Sequence, residues 1–236
     1  MMGSRDEEHI TGGGRIRSII LGLNDGLIST FTLLVGVAAA TLSSQGNVIV
    51  LLTGIAAMVS GAISMGLGEY ISSKSEYNYI KSEMKKEEAE IELFPEEEKK
   101  EVYDIFDKMG IKGEIANACV DTITSNKEIW LNFLVGSELG LDEPENPALG
   151  AFLTFISFVV GSFIPLSPYF LNMGFISLII STILSFCMLG IVGAAKTKIT
   201  GERKVKGAIE MLLIGCIAFV CSYGIGLWLE QFITTL

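Results

Sequence analysis

The sequence predicts an all-α membrane protein: five transmembrane helices, with a cytoplasmic helical insert between the second and the third. Three observations carry that expectation. Half of the 236 residues are hydrophobic and the mean hydropathy is +0.51, above what a soluble domain of this length shows. Five windows, at 19–42, 48–70, 149–171, 173–195 and 208–232, supply the run of about 20 mostly apolar residues that crosses a hydrocarbon core. The stretch 74–145 holds 9 Lys and 19 Asp plus Glu, and so carries the entire net charge of −10.

In chain order, residues 1–18 form a polar tail containing His9, the single histidine. It is read as solvated, and one histidine leaves little room for a zinc site of the usual His and Cys type. The first span (19–42) is too long for a cleavable signal peptide, is interrupted by Asp25, and lacks a small-residue cleavage site. It opens on ILGLNDGLIST, which puts Asn24 and Asp25 inside an apolar run with Ser29, Thr30 and Thr32 beyond. A carboxylate at that depth costs at least about 2.5–3.5 kcal/mol on insertion scales, so intramembrane acids tend to mark pathways. Asp25 stands six residues into its window, about 9 Å at 1.5 Å per residue. The competing expectation is a structural Asp bonded to a neighbouring helix.

The second span (48–70) adds Ser60, Ser64, Met65 and, near its end, Glu69. No Gly or Pro interrupts 74–92, so this helix is expected to continue as one rod into the cytoplasm. Membrane helices 1 and 2 thus occupy 19–73, the acidic insert 74–146, and helices 3–5 147–236. Small residues four apart recur in the spans: Gly22 and Gly26, Ala57 and Gly61, Ala62 and Gly66, Ser222 and Gly226. Such pairs let helix backbones approach, either within one chain or between two copies.

Inside the insert, Pro95 suits the first turn of a helix, three glutamates follow where the dipole favours anions, and Gly110 offers the stop. Val102, Ile105, Phe106 and Met109 mark one apolar face. A third helix is expected over 114–124, with Ile115, Ala116, Cys119, Val120 and Ile123 apolar. Asn126 is expected to cap a fourth, 127–139, carrying Trp130, Phe133 and Leu134. Glu83, Glu87 and Glu90 share one helix face, and Glu98 and Glu101 a face of the next. Packed antiparallel, those faces would converge carboxylates that repel one another unless cations intervene, and oxygen-rich sites suit divalent ions. The bland alternative is a solvated acidic face paired with Lys85, Lys86, Lys99 and Lys100.

Arg5, Arg15, Arg17 and the basic residues from 196 to 206 place the N-terminus, the insert and the loop KTKITGERKVK on the cytoplasmic side, with SSQGN, PLSPYFLN and the C-terminus opposite. Glu210 and Glu230 lie near the ends of the fifth span, where solvation accounts for them. Cys119, Cys187, Cys216 and Cys221 form no CxxC pair and read as small apolar residues.

These residues resemble the vacuolar iron transporter family from Arg15 to the C-terminus. The resemblance rests on LGLNDGLIST, SGAISMGLGEYISSKSE, the glutamate-rich insert with FPEEE, and WLNFLVGSELGL, in that order. It implies a homodimer in the lipid bilayer with an ion path near the subunit interface, exporting Fe2+ from the cytosol against entering protons, and a cytoplasmic metal-binding domain. By that resemblance the transport site corresponds to Asp25 and Met65, and the metal ligands of the insert to Glu87, Glu90, Glu98, Glu101 and Glu138; Glu69, near the cytoplasmic end of the second span, is added to the transport pathway as a further carboxylate. The family carries two methionines just before that last glutamate, where this chain has Leu134 and Val135, so the insert is expected to rely on hard oxygens and to discriminate less firmly between Fe2+ and Mn2+ or Ca2+. Divalent metal and protons are the expected partners, with no nucleic acid, no resident cofactor beyond the metal and no enzymatic activity. A membrane-bound di-iron-type enzyme is the alternative from another class. Such centres typically use Glu-x-x-His pairs, and the insert has no histidine.

Overall fold

The computed structural model describes residues 13–41, 47–137, 139–140, 146–200 and 203–234. These residues are almost all helical, joined by short turns, with no strand among them. The helices are α1 (Gly13–Ala40), α2 (Asn47–Leu93), α3 (Pro95–Lys108), α4 (Glu114–Thr124), α5 (Lys127–Ser137), α6 (Pro147–Leu166), α7 (Phe175–Thr200) and α8 (Lys204–Thr234); a 3-10 turn, Ser167–Leu171, extends α6. Five of them are long and apolar enough to span a membrane: Gly14–Ala40, Asn47–Leu93, Pro147–Leu171, Phe175–Thr197 and Lys204–Gln231. The expected rod is present, since α2 runs unbroken for 47 residues. The chain divides into two compact units, Met1–Tyr70 with Ala148–Leu236, and Ile71–Pro147.

In the first unit α1 is central. Leu27, Phe31, Leu34 and Val35 are fully buried, and Phe31 meets Phe186 edge-on at 5.8 Å and stacks on Phe219 at 6.1 Å. The α1–α6 crossing is backbone on backbone. A Cβ on Gly26 would lie 2.3 Å from the Phe158 carbonyl oxygen, and one on Gly161 2.2 Å from that of Leu23, so only glycine fits either place. The expected small-residue pairs are spent inside the chain: Gly22 faces Thr154, Gly61 the Phe158 ring, Gly66 Phe155, and Gly226 the Gly36 carbonyl. Packing within one chain therefore explains them. On α8, Leu213, Ile217, Val220, Ile225 and Trp228 remain exposed, an apolar surface suited to lipid.

The second unit folds around Ile91, Val102, Ile105, Phe106, Val120, Trp130 and Leu134. Pro95 occupies the first turn of α3, followed by Glu96, Glu97 and Glu98, and Gly110 leaves the helix with φ +82°. Asn126 caps α5, its Oδ1 accepting from the amides of Glu128 at 2.9 Å and Ile129 at 3.2 Å. Three details differ from expectation. Met109 is 59% exposed because α3 ends at Lys108, leaving Met109 at the cap and off the buried stripe. Ile115 is 70% exposed, because in the short α4 only Ala116 and Val120, four apart, are buried. α5 is described as far as Ser137, and Leu139, expected to be its last residue, is already outside the helix, its amide reaching back to the Leu134 carbonyl at 3.4 Å.

Candidate functional site

Asp25 is fixed by its neighbour. Gly26 lies against the Phe158 backbone, and the buried Ser162 hydroxyl donates to the Gly26 carbonyl at 3.2 Å. That clamp sets the rotation of α1, and Asp25 lines a crevice of about 400 Å³ with Ser29, Thr30 and Leu33 from α1, Ala57, Gly61, Ser64 and Met65 from α2, and Phe158 from α6. Asp25, Ser29 and Ser64 are exposed on the single chain, Met65 is half-buried and Phe158 is buried. Ser29 donates its hydroxyl to the Asp25 backbone carbonyl at 2.5 Å, and no hydrogen bond to the Asp25 carboxylate is found among the described residues. None of the ion pairs among the described residues involves Asp25. A carboxylate and a thioether thus share one concave surface with the hydroxyls of Ser29, Thr30 and Ser64. That donor set accepts a borderline divalent ion more readily than Mg2+, which is served by oxygen and water alone.

Glu69 lies apart from this crevice. It stands one helical turn beyond Met65 and accepts from the Ser18 hydroxyl at 3.0 Å, beside Gly150 of α6. Asn24 is not among the lining residues, and its Oδ1 is buried without a hydrogen-bond partner among the described residues. Leu33 and Phe158 are the lining residues that sequence reasoning missed, and Phe158 is the one that reaches both of the other helices. It sits in an unbroken apolar run of the third span, where no local signal separates it from its neighbours.

In the second unit, Glu87 of α2 and Glu98 and Glu101 of α3 converge: one carboxylate oxygen from each lies within 4.8 Å of the others. Ile91 and Val102, packed in one core, bring these two faces together after the Pro95 break. Glu87 and Glu98 are only 6% exposed. Burial, first, and the Glu101 charge, next, raise the Glu98 carboxyl above the usual carboxylate range; a hydrogen bond with Glu87 opposes this, and the charges of Glu90 and Glu97 add to it. Glu90 is thus an electrostatic neighbour, outside the three converging oxygens. Glu138 lies outside the described residues.

Three of the lysines nearby pair with acids outside the triad. Lys127 bridges Glu88 at 2.8 Å and Glu92 at 2.5 Å, Lys99 pairs with Asp121 at 2.8 Å and Lys86 with Glu83 at 3.9 Å. No ion pair among the described residues uses Glu98 or Glu101. Leu134 and Val135 are buried, at 0% and 6% exposure, so those two positions serve packing. The triad offers carboxylate oxygens, suited to a hard or borderline divalent cation.

Comparison with known proteins places these features in context. A sequence model of the VIT family matches residues 16–227. The chain is 39% identical over 220 residues to vacuolar iron transporter 1 of Arabidopsis thaliana, covering 92% of this chain and 87% of that protein. It is 38% identical to the vacuolar iron transporter of Centaurea cyanus, covering 95% and 91%. To the vacuolar iron transporter of Plasmodium falciparum it is 32% identical, covering 95% and 86%.

Proposed function

This chain belongs to the VIT family, and we propose that it carries a divalent transition metal, Fe2+ first, out of the cytosol by exchange with protons. The observation that carries the reading is the shared crevice of Asp25 and Met65. Membership of a family of transporters sets aside the di-iron-type enzyme. Mn2+ is the second candidate substrate, favoured by the all-carboxylate composition of the Glu87, Glu98 and Glu101 triad.

Asp25, Ser29, Ser60 and Ser64 are exposed along the middle of the first two spans, and an ionised group bare to lipid is costly. A second copy of the chain, laid over this polar face, would convert the crevice into an enclosed path, which supports a homodimer. Arg15, Arg17, Lys196, Arg203, Lys204 and Lys206 lie at the start of α1, the end of α7 and the start of α8, the ends read as cytoplasmic. The same orientation makes the N-terminus and the insert cytoplasmic and puts the C-terminus on the far side.

In this mechanism the insert, with its concentrated negative charge, raises the local concentration of cations, and the triad with Glu90 and Glu138 holds them. The ion then binds Asp25 and Met65, and the Met65 sulfur favours a borderline over a hard ion. Metal arrival releases the proton held on the Asp25 carboxyl, and a proton from the far side replaces the departing metal. Glu69, fixed by Ser18, is a second carboxylate along α2 for that proton. The test is flux of Fe2+, Mn2+, Co2+ and Mg2+ into proteoliposomes under an imposed pH gradient. The reading expects Fe2+ or Mn2+ to move with counterflow of protons; flux indifferent to the gradient removes the antiport.

A further inference from the structure

Phe158 joins both walls of the crevice at once. Its ring fills the notch left by Gly61 on α2, where an added Cβ would stand 2.4 Å from Cζ and 2.6 Å from Cε1. Its backbone fills the corresponding notch on α1, 2.3 Å from where a Cβ of Gly26 would stand. Gly26 follows Asp25 directly, and Gly61 precedes Met65 by one helical turn. Phe158 is 4% exposed and lies among the lining residues of the crevice. A rigid aromatic wedge therefore fixes how far the Asp25 wall stands from the Met65 wall.

We infer that Phe158 is a specificity-determining residue, a spacer that sets the Asp25–Met65 separation and so the size of divalent ion the crevice accepts. The inference rests on the transport reading and adds to it a residue that supplies no donor atom. Ligand distances are the quantity selected: about 2.0–2.2 Å for oxygen on a small first-row ion such as Zn2+, against about 2.3–2.6 Å on a large one such as Ca2+. Close-packed surfaces do not relax freely around a changed volume. A shorter side chain therefore leaves room at the crevice for a larger ion, whereas crowding the ring drives it into the crevice and takes that room away.

The experiment compares proteoliposome uptake of Fe2+ with that of Cd2+, a larger and softer ion, for wild type, Phe158→Leu and Gly61→Ala. Phe158→Leu is expected to raise the Cd2+ to Fe2+ uptake ratio about tenfold, the lower end of what one altered pocket group changes. Gly61→Ala, pressing the ring into the crevice, is expected to move the ratio the other way. A wild type that transports while both variants keep its ratio, at whatever absolute rate, overturns the spacer role alone. A wild type that moves neither ion overturns the transport reading and the spacer with it. If Phe158→Leu does not fold, the Gly61→Ala ratio decides.

Discussion

The Ser162 hydroxyl donates to the Gly26 carbonyl at 3.2 Å in the buried interior of the membrane unit. The bond joins α6 to α1 one residue past Asp25, at the point where the Phe158 carbonyl oxygen occupies the place of a side chain on Gly26. The NDG stretch thereby has a division of labour: glycine permits the approach, and the carboxylate beside it is displayed to the crevice.

Gly26→Ala should therefore unsettle the whole first unit. A methyl group forced against backbone costs about 1–3 kcal/mol or more when the surroundings cannot yield. Gly68→Ala is the control, because a Cβ there meets nothing within 4 Å and alanine gains about 0.5–1 kcal/mol over glycine in a helix. Thermal melting in detergent should fall for the first and hold or rise for the second. Equal melting of the two would refute the close α1–α6 crossing.

The acidic triad makes a prediction of opposite signs. Glu98→Gln removes a charge that burial and Glu101 both disfavour, so the metal-free protein should melt higher, by Trp130 emission. The same change removes a proposed ligand, so the stabilisation conferred by added Mn2+ or Fe2+ should shrink. A substitution that lowers the metal-free melting point, or leaves the metal response intact, contradicts the site.

The pH response follows from the same carboxyl. Its folded value lies above the ordinary glutamate range, so the folded state holds a proton that the unfolded state has already lost. The stabilisation is complete below the ordinary value and disappears as pH rises through the raised one. Acidifying the metal-free protein from pH 7 toward 5 should raise the Trp130 transition, and Glu98→Gln should flatten that trend.

Asn126→Ala removes the acceptor for two amides at the start of α5, a loss of about 0.5–2 kcal/mol. Trp130 is buried in the same core as Val120 and Leu134, so its emission should report the drop. An unchanged transition would show that the cap contributes nothing to this unit.

Much of the fold was legible because its determinants are local. Apolar runs mark the spans, the Pro95 and Gly110 punctuation marks α3, and a single Asn marks the start of α5. Tertiary contacts were less legible. Met109 and Ile115 fit the apolar period, yet helix ends put one at a cap and the other outside the narrow stripe of α4. The small-residue pairs left open whether they join helices or subunits, and only the partners of Gly22, Gly26, Gly61, Gly66 and Gly226 decide it. Asp25 and Met65 stood out by chemistry, but the structure adds that one crevice holds both and that Glu69 lies outside it, bonded to Ser18. Phe158 had no signal at all, because a spacer differs from its apolar neighbours only by what it touches.

The central claim is that the Asp25 carboxylate binds the travelling metal and exchanges it for a proton. Its most direct test is Fe2+ flux with simultaneous proton counterflow in proteoliposomes carrying wild type or Asp25→Asn, each first shown to be folded by its melting curve. The account predicts coupled flux for the wild type and none above background for Asp25→Asn. A folded Asp25→Asn protein that still exchanges metal for protons would contradict it.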